Sequence, residues 1–153
     1  MNDNRIEFIR ERLAPCGLHC GHCFAFVGGQ IHLLSSQLQA ALGNFGVYAA
    51  RFVELLNAPV FASYPEFGTV LAHLAKGACR GCRKEKCKLF ASCGVRPCAE
   101  EREVDFCFQC AVFPCDRTGF DEHLYRRHVA INRRMMEVGV ERYYEEIRDL
   151  PRY

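Results

Sequence analysis

Along the middle of the chain, apolar residues return at every third or fourth position. In IHLLSSQLQAAL the residues Ile31, Leu34, Leu38 and Ala41 form one stripe, the spacing that puts side chains on one face of an α-helix. Gly43 follows, and a glycine just past a stripe is an ordinary helix stop. Asn44 stands where an N-cap would open a second helix, whose stripe is Phe45, Tyr48, Phe52 and Leu55. A third helix is announced by Ser63 and Glu66 at capping-box spacing; it carries Phe67, Val70, Leu71 and Leu74 and stops at Gly77. Three such stripes need one another for burial, which predicts a small helical bundle over 24–76.

Beyond residue 118 the same period returns. Leu124, His128, Ile131, Met135 and Val138 share one face of TGFDEHLYRRHVAINRRMMEVG, and a last short helix, VERYYEEIRDL, ends at Pro151. This gives C-terminal helices over 118–150. His128, inside the stripe, reads as a hydrogen-bonded core histidine, with a ligand reaching into a metal site as the other reading. Arg126, Arg127, Arg133 and Arg134 lie on the opposite side. Glu122 precedes Arg126 by four residues and Glu137 follows Arg133 by four, so these charges are expected to pair along a solvated face rather than to meet phosphate.

Between the helical stretches, 79–115 shows neither period. It holds eight of the eleven cysteines; the other three are Cys16, Cys20 and Cys23, and none lies between Cys23 and Cys79. Composition narrows the meaning of that clustering. With 153 residues, half of them hydrophobic and a quarter charged, the chain reads as a single domain over 1–153, large enough for a core without covalent staples. The charged opening MNDNRIEFIRERL has no signal-like apolar run, and no stretch approaches the roughly 18 apolar residues of a membrane span. A cytoplasmic protein with no membrane partner is therefore expected. A net charge of +2 gives no global argument for nucleic acid. In a reducing compartment an odd set of thiols is not a disulfide framework. Metal or redox chemistry remains.

Cys20 and Cys23, Cys79 and Cys82, and Cys107 and Cys110 form three C-x2-C pairs. A two-residue spacer lets both thiolates reach one tetrahedral ion while backbone N–H groups of the turn bond the sulfurs. The candidate metal ligands are Cys16, Cys20, Cys23, Cys79, Cys82, Cys87, Cys93, Cys98, Cys107, Cys110 and Cys115. Gly81, Gly94, Pro97 and Pro114 suit loops, so 79–115 is expected to be irregular apart from a short turn around Ala99 to Arg102. Its simplest partition gives one group from Cys79, Cys82, Cys87 and Cys93 and another from Cys98, Cys107, Cys110 and Cys115. Arg80, Arg83, Lys84, Lys86, Lys88 and Arg96, against the single acid Glu85, would offset the negative charge of four-thiolate sites. The same lysines would contact phosphate in a nucleic-acid-binding zinc ribbon, the less economical reading because the cations interleave with the ligands.

CGLHCGHC, at 16–23, also matches the C-x3-C-x2-C spacing of radical S-adenosylmethionine enzymes. Such an enzyme needs βα units of about 30 residues each, for which this chain has neither the length nor the alternating pattern. A thioredoxin-like role fails for the same reason. The stretch is read as a metal loop whose fourth ligand is His19, His22 or a distant cysteine. Ferredoxin-type cluster motifs place proline after cysteine, whereas Pro15, Pro97 and Pro114 precede Cys16, Cys98 and Cys115. Zinc, as two or three ions, is the expected cofactor; an iron-sulfur cluster is the alternative.

APCGLHCGHCFAF, CRGC, CGVRPCAEEREVDFCFQCAVFPC and the turn from Met136 to Glu141 together resemble a bacterial and archaeal family of unknown function, the one numbered 3795. The resemblance spans nearly the whole chain and falls on Cys16, Cys20, Cys23, Cys79, Cys82, Cys93, Cys98, Cys107, Cys110 and Cys115, with the F-P-C at Phe113 to Cys115. His19 and His22 do not fall on fixed family positions. It implies a zinc-binding protein without an assigned activity. No Ser/His/Asp set, paired carboxylates or phosphate-binding glycine loop stands out. A metal-stabilised module for a protein or small-molecule partner therefore ranks ahead of a redox or open-site metal enzyme, and the expected fold is a mainly α, small helical bundle with an irregular cysteine-rich metal-binding segment.

Overall fold

The computed structural model describes residues 3–153. It contains α1 (Asp3–Arg12), α2 (Gln30–Leu42), α3 (Phe45–Leu55), α4 (Tyr64–Lys76), α5 (Val95–Glu101), α6 (Glu122–Val138) and α7 (Val140–Ile147). Among the described residues there is no strand, and an isolated antiparallel bridge joins Leu13 to His19. The fold is thus mainly helical. No described helix is long and apolar enough to cross a membrane. The chain divides into two compact units, Phe24–Ala78 and a second formed by Met1–Cys23 with Cys79–Tyr153. Every cysteine lies in the second.

In the unit Phe24–Ala78, α2 to α4 form where the periodicity places them, but their packing differs from the stripe reading. Leu34, Leu38, Tyr48, Leu55, Phe67 and Val70 are exposed, whereas Ser35, Ala49 and Leu71 are buried. The reason lies in the contact side chains. α2 packs on α4 near Ser36, whose hydroxyl donates to the carbonyl of Ala75 at 3.1 Å, and small residues there turn the leucines outward. Burial comes instead from aromatics: Phe45 lies 5.1 Å from Tyr64 and 5.8 Å from Phe61, and Phe61 is 5.8 Å from Phe52, centroid to centroid. Such tilted ring pairs each contribute roughly 0.5 to 1.5 kcal/mol beyond their buried area. The caps also differ from expectation. Asn44 and Ser63 occupy the N-cap positions of α3 and α4, but neither side chain makes a capping bond. A 3-10 turn over Pro59–Ser63 runs directly into α4, so Ser63 already has a near-helical backbone and the capping box does not form.

The cysteine-bearing unit is built on α6, α7 and α1. Ile9, Leu13, Phe106, Met135, Tyr143 and Tyr144 form its buried core, with Ile131, Val138, Val140 and Ile147 packed against it. The α6 stripe is as expected: Leu124, His128 and Met135 are buried, and Asp121 caps the helix by accepting from the Leu124 N–H at 2.8 Å. Helix α1 is an addition that the charge-rich opening of the chain does not announce. Segment 79–115 is irregular except for a 3-10 turn over Cys107–Gln109 and α5. α5 is longer than the expected turn because Pro97 falls in its first turn, where the missing N–H costs no helical bond.

Gly17 joins loop 16–23 to this core. Its φ is +85°, and a Cβ there would stand 2.3 Å from Ile131 Cγ2 and 2.7 Å from Met135 Cε. Gly17→Ala is expected to destabilise the protein by about 3 kcal/mol, combining left-handed strain of about 1 to 2 kcal/mol with overpacking of about 1 to 3 kcal/mol. Gly28 is the matched control: φ is +79° and nothing lies within 4 Å of its added Cβ, so Gly28→Ala should cost only the strain. Equal urea midpoint shifts for the two variants would contradict the packing of Gly17 on α6.

Candidate metal centre

Loop 16–23 is a buried, tightly bonded structure. Ala14 donates to the Leu18 carbonyl at 2.9 Å, Gly17 to that of Ala14 at 2.8 Å and Cys23 to that of Cys20 at 2.9 Å. Cys16, Cys20 and Cys23 are all buried. Two groups on α6 fasten the Cys16 carbonyl: Asn132 Nδ2 donates to it at 2.9 Å, and His128 Nδ1 stands 3.4 Å away. Burial holds the His128 pKa below the usual histidine value, as fits a core histidine rather than an exposed base. The Cys107 N–H donates to the Pro15 carbonyl at 3.0 Å, which brings the Cys107/Cys110 turn to the same loop.

Sulfur atoms in this unit repeatedly accept backbone N–H groups from two residues further on. Cys16 accepts from Leu18, Cys79 from Gly81 at 3.3 Å, Cys87 from Leu89 and Cys93 from Val95. Cys20 accepts from the Cys82 backbone, and the Cys82 thiol is hydrogen-bonded to both Cys20 and Cys87. Those bonds push the Cys82 thiol up, while the bonds to Cys82 pull the Cys20 and Cys87 thiols down. Burial, reinforced by Cys20 and Cys93, pushes Cys16 up to about 12.

The expected grouping of Cys79, Cys82, Cys87 and Cys93 is crossed by loop 16–23. Cys82 meets Cys20, Cys79 feels Cys20 and Cys23, and Cys93 feels Cys87. Cys16, Cys20, Cys82, Cys87 and Cys93 line one cavity of about 250 Å³, whose remaining wall includes Phe90, Leu124 and Arg152. Cys107, in the other expected group, is raised to about 12 by burial and then by Cys16, Cys115, Cys98 and Cys110. Among the described residues, no three His, Cys, Asp or Glu side chains already converge on one point as a bound ion requires. His19 and His22 stack at 3.8 Å. Burial, with His22, Arg12 and Arg152 adding, lowers His19 to about 4, and its Nδ1 is buried without a hydrogen-bond partner.

Most cations of 79–98 are committed elsewhere. Glu85 pairs with Arg80 and Lys88, Glu11 with Lys84 and Glu100 with Arg96. Arg83 donates to the carbonyls of Arg10, Leu13 and Asp105 at 2.8 to 2.9 Å, where it ties the end of α1 to the cysteine segment. The cation that lowers Cys16, Cys20 and Cys87 together is Arg152, which nothing in the local sequence marks. Asn132 was also missed, although a legible signal exists: it follows His128 by four residues and so shares the buried stripe. On α6, Arg126 pairs with Glu122 as expected, while Glu137 is taken by Arg134 rather than Arg133.

No curated protein and no solved structure matches this chain. A family model described as "Protein of unknown function (DUF3795)" matches residues 12–120, the stretch that holds all eleven cysteines. The chain therefore belongs to the DUF3795 family.

Proposed function

We propose that this is a thiolate metal-binding protein in which zinc fastens loop 16–23 to segment 79–115, in a structural rather than catalytic role. The observation that carries the reading is the set of backbone N–H groups aimed at the sulfurs of Cys16, Cys20, Cys79, Cys87 and Cys93. A neutral thiol gains little from such donors, whereas a metal-bound thiolate is oriented and stabilised by them. The Cys20, Cys82 and Cys87 trio suits the same chemistry, because a cation binds thiolates in place of the protons their sulfurs carry. Cys16 and Cys93 stand on the same cavity wall to complete that set, and Cys98, Cys107, Cys110 and Cys115 form a second. When bound, zinc would supply cross-links between chain segments, and Asn132 and Arg83 would hold the backbone that carries its ligands.

The helical unit Phe24–Ala78 leaves Leu34, Leu38, Leu55, Val60 and Val70 exposed, and a surface of that kind suits a module that meets a partner. The second reading, an iron-sulfur cluster, is favoured by one feature: the cavity of about 250 Å³ is roomier than a single four-coordinate ion needs. Anaerobic purification followed by metal analysis and a visible spectrum separates the two. Colourless protein with about two zinc ions per chain is expected. A brown, iron-containing protein would replace zinc with the cluster, and metal-free protein with all thiols reactive would sink both.

A further inference from the structure

A second cavity, of about 370 Å³, lies between loop 16–23, α6, α7 and the C-terminal residues. We propose that it binds a small organic anion, a phosphate monoester or carboxylate attached to a planar apolar body. The assignment does not rest on the metal reading. Arg127, Arg134 and Arg152 stand in its wall, and no Asp or Glu does. The three arginines are not equivalent. Arg134 is committed to Glu146 through bonds of 3.0 and 2.6 Å, with Glu137 at 3.3 Å. Arg127 instead donates to the Arg152 carbonyl at 2.8 Å, and Arg152 donates to the His19 carbonyl at 2.8 Å. Among the described residues, neither guanidinium meets a carboxylate. Arg127 is therefore oriented by a neutral acceptor while its charge and remaining N–H groups stay available, the arrangement that recognises a planar or tetrahedral oxyanion; Arg152 is held in the same way but shares its charge with the thiols of Cys16, Cys20 and Cys87.

The rest of the wall describes the body of the ligand. Ile131, Ile147 and Leu150 give it apolar surface, and His19 and His22 face one another as stacked rings 3.8 Å apart and 10° from parallel. Tyr144 also stacks on His19, at 5.5 Å and 22° from parallel, so His22 is the flat platform left for a further ring. His19, 8% exposed, also lines the cavity and offers its carbonyl to Arg152. Unassisted apolar pockets recruit apolar ligands; one with free guanidinium groups and no acid selects against any ligand lacking negative charge.

The test uses the full chain as purified, and titration calorimetry with phenyl phosphate, benzoate and inorganic phosphate. Phenyl phosphate or benzoate should bind saturably, at about millimolar affinity or better; which of the two binds tighter tells whether the phosphate or carboxylate class is preferred. Inorganic phosphate should bind at least about tenfold more weakly than the better of them, because it leaves the apolar wall unused. Arg127→Ala should weaken binding at least about tenfold, and Arg127→Gln should do likewise while retaining a donor to the Arg152 carbonyl, which covers the case of a misfolded alanine variant. Arg126→Ala, one residue away on the same helix and paired with Glu122, should leave binding unchanged. Absence of saturable binding by both organic anions, inorganic phosphate binding as tightly as they do, or equal losses in the Arg126 and Arg127 variants would each overturn the assignment.

Discussion

Replacing Asn132 with alanine is expected to cost about 4 kcal/mol of folding free energy, a large share of the roughly 5 to 15 kcal/mol that holds an ordinary domain together. The side chain is fully buried and uses both ends of its amide. Nδ2 donates to the carbonyls of Cys16 and His128 at 2.9 and 3.0 Å, and Oδ1 accepts the Phe108 N–H at 3.0 Å. Alanine would leave the Phe108 donor without its partner and the Cys16 carbonyl with only His128 Nδ1 at 3.4 Å, at about 1 to 3 kcal/mol for each buried group, and would add a void beside His128. Asn132→Asp should be at least as damaging, since it keeps the acceptor for Phe108 but turns the donor against the Cys16 carbonyl and buries a charge. The damage should be directional. Asn132 spans the loop that carries Cys16 and the turn that carries Cys107, so the Phe108 amide should lose its exchange protection before the amides of α2 to α4. A loss below about 1 kcal/mol with the Phe108 amide still protected would show that this bond is not what positions the two cysteine turns.

Helices α2, α3, α4, α6 and α7 were legible because a period of three or four needs no knowledge of the rest of the fold. What the period left open was direction. The stripe Leu34, Leu38 is the apolar side of α2, yet Ser35 is the buried one; close approach rewards a small side chain, and the aromatics Phe45, Phe61 and Tyr64 take over the burial the leucines were expected to supply. α1 escaped because its apolar residues Ile6, Phe8 and Ile9, and Leu13 just past its end, are set among charges, so that only the cluster with Tyr143 and Tyr144 reveals Ile9 and Leu13 as core. At the candidate site the spacing marks the C-x2-C pairs, but not which thiols approach one another. Sequence distance favoured Cys82 with Cys79, Cys87 and Cys93; the chain instead brings Cys20 back to Cys82 after the cysteine-free stretch. Arg152 illustrates the limit: one arginine near the end of a chain carries no pattern, and its role comes only from where α7 delivers it.

Removing metal should have the largest effect of all, on the reading that zinc joins these segments. Structural zinc contributes about 10 to 16 kcal/mol of apparent binding free energy in small finger peptides, comparable with the whole net stability of a domain. The two units should respond differently. The cysteines lie in Met1–Cys23 and Cys79–Tyr153, and Phe24–Ala78 has none, so a chelator should strip exchange protection from 79–115 and 16–23 while α2 to α4 keep theirs. Far-ultraviolet circular dichroism should then fall only in part, because those three helices remain. α6 should loosen at Ile131 and Met135, the side chains on which Gly17 rests. Single substitutions should divide the effect. Cys82→Ser removes the one thiol bonded to both Cys20 and Cys87 and should release 79–93 first. Cys110→Ser removes a member of the group around Cys107 and should release 98–115 first. If amides throughout 79–115 stay as protected after chelation as before, the cysteines are not structural ligands. The N–H groups directed at Cys16, Cys79, Cys87 and Cys93 would then be serving free thiols, which points to redox chemistry in the cysteine-lined cavity.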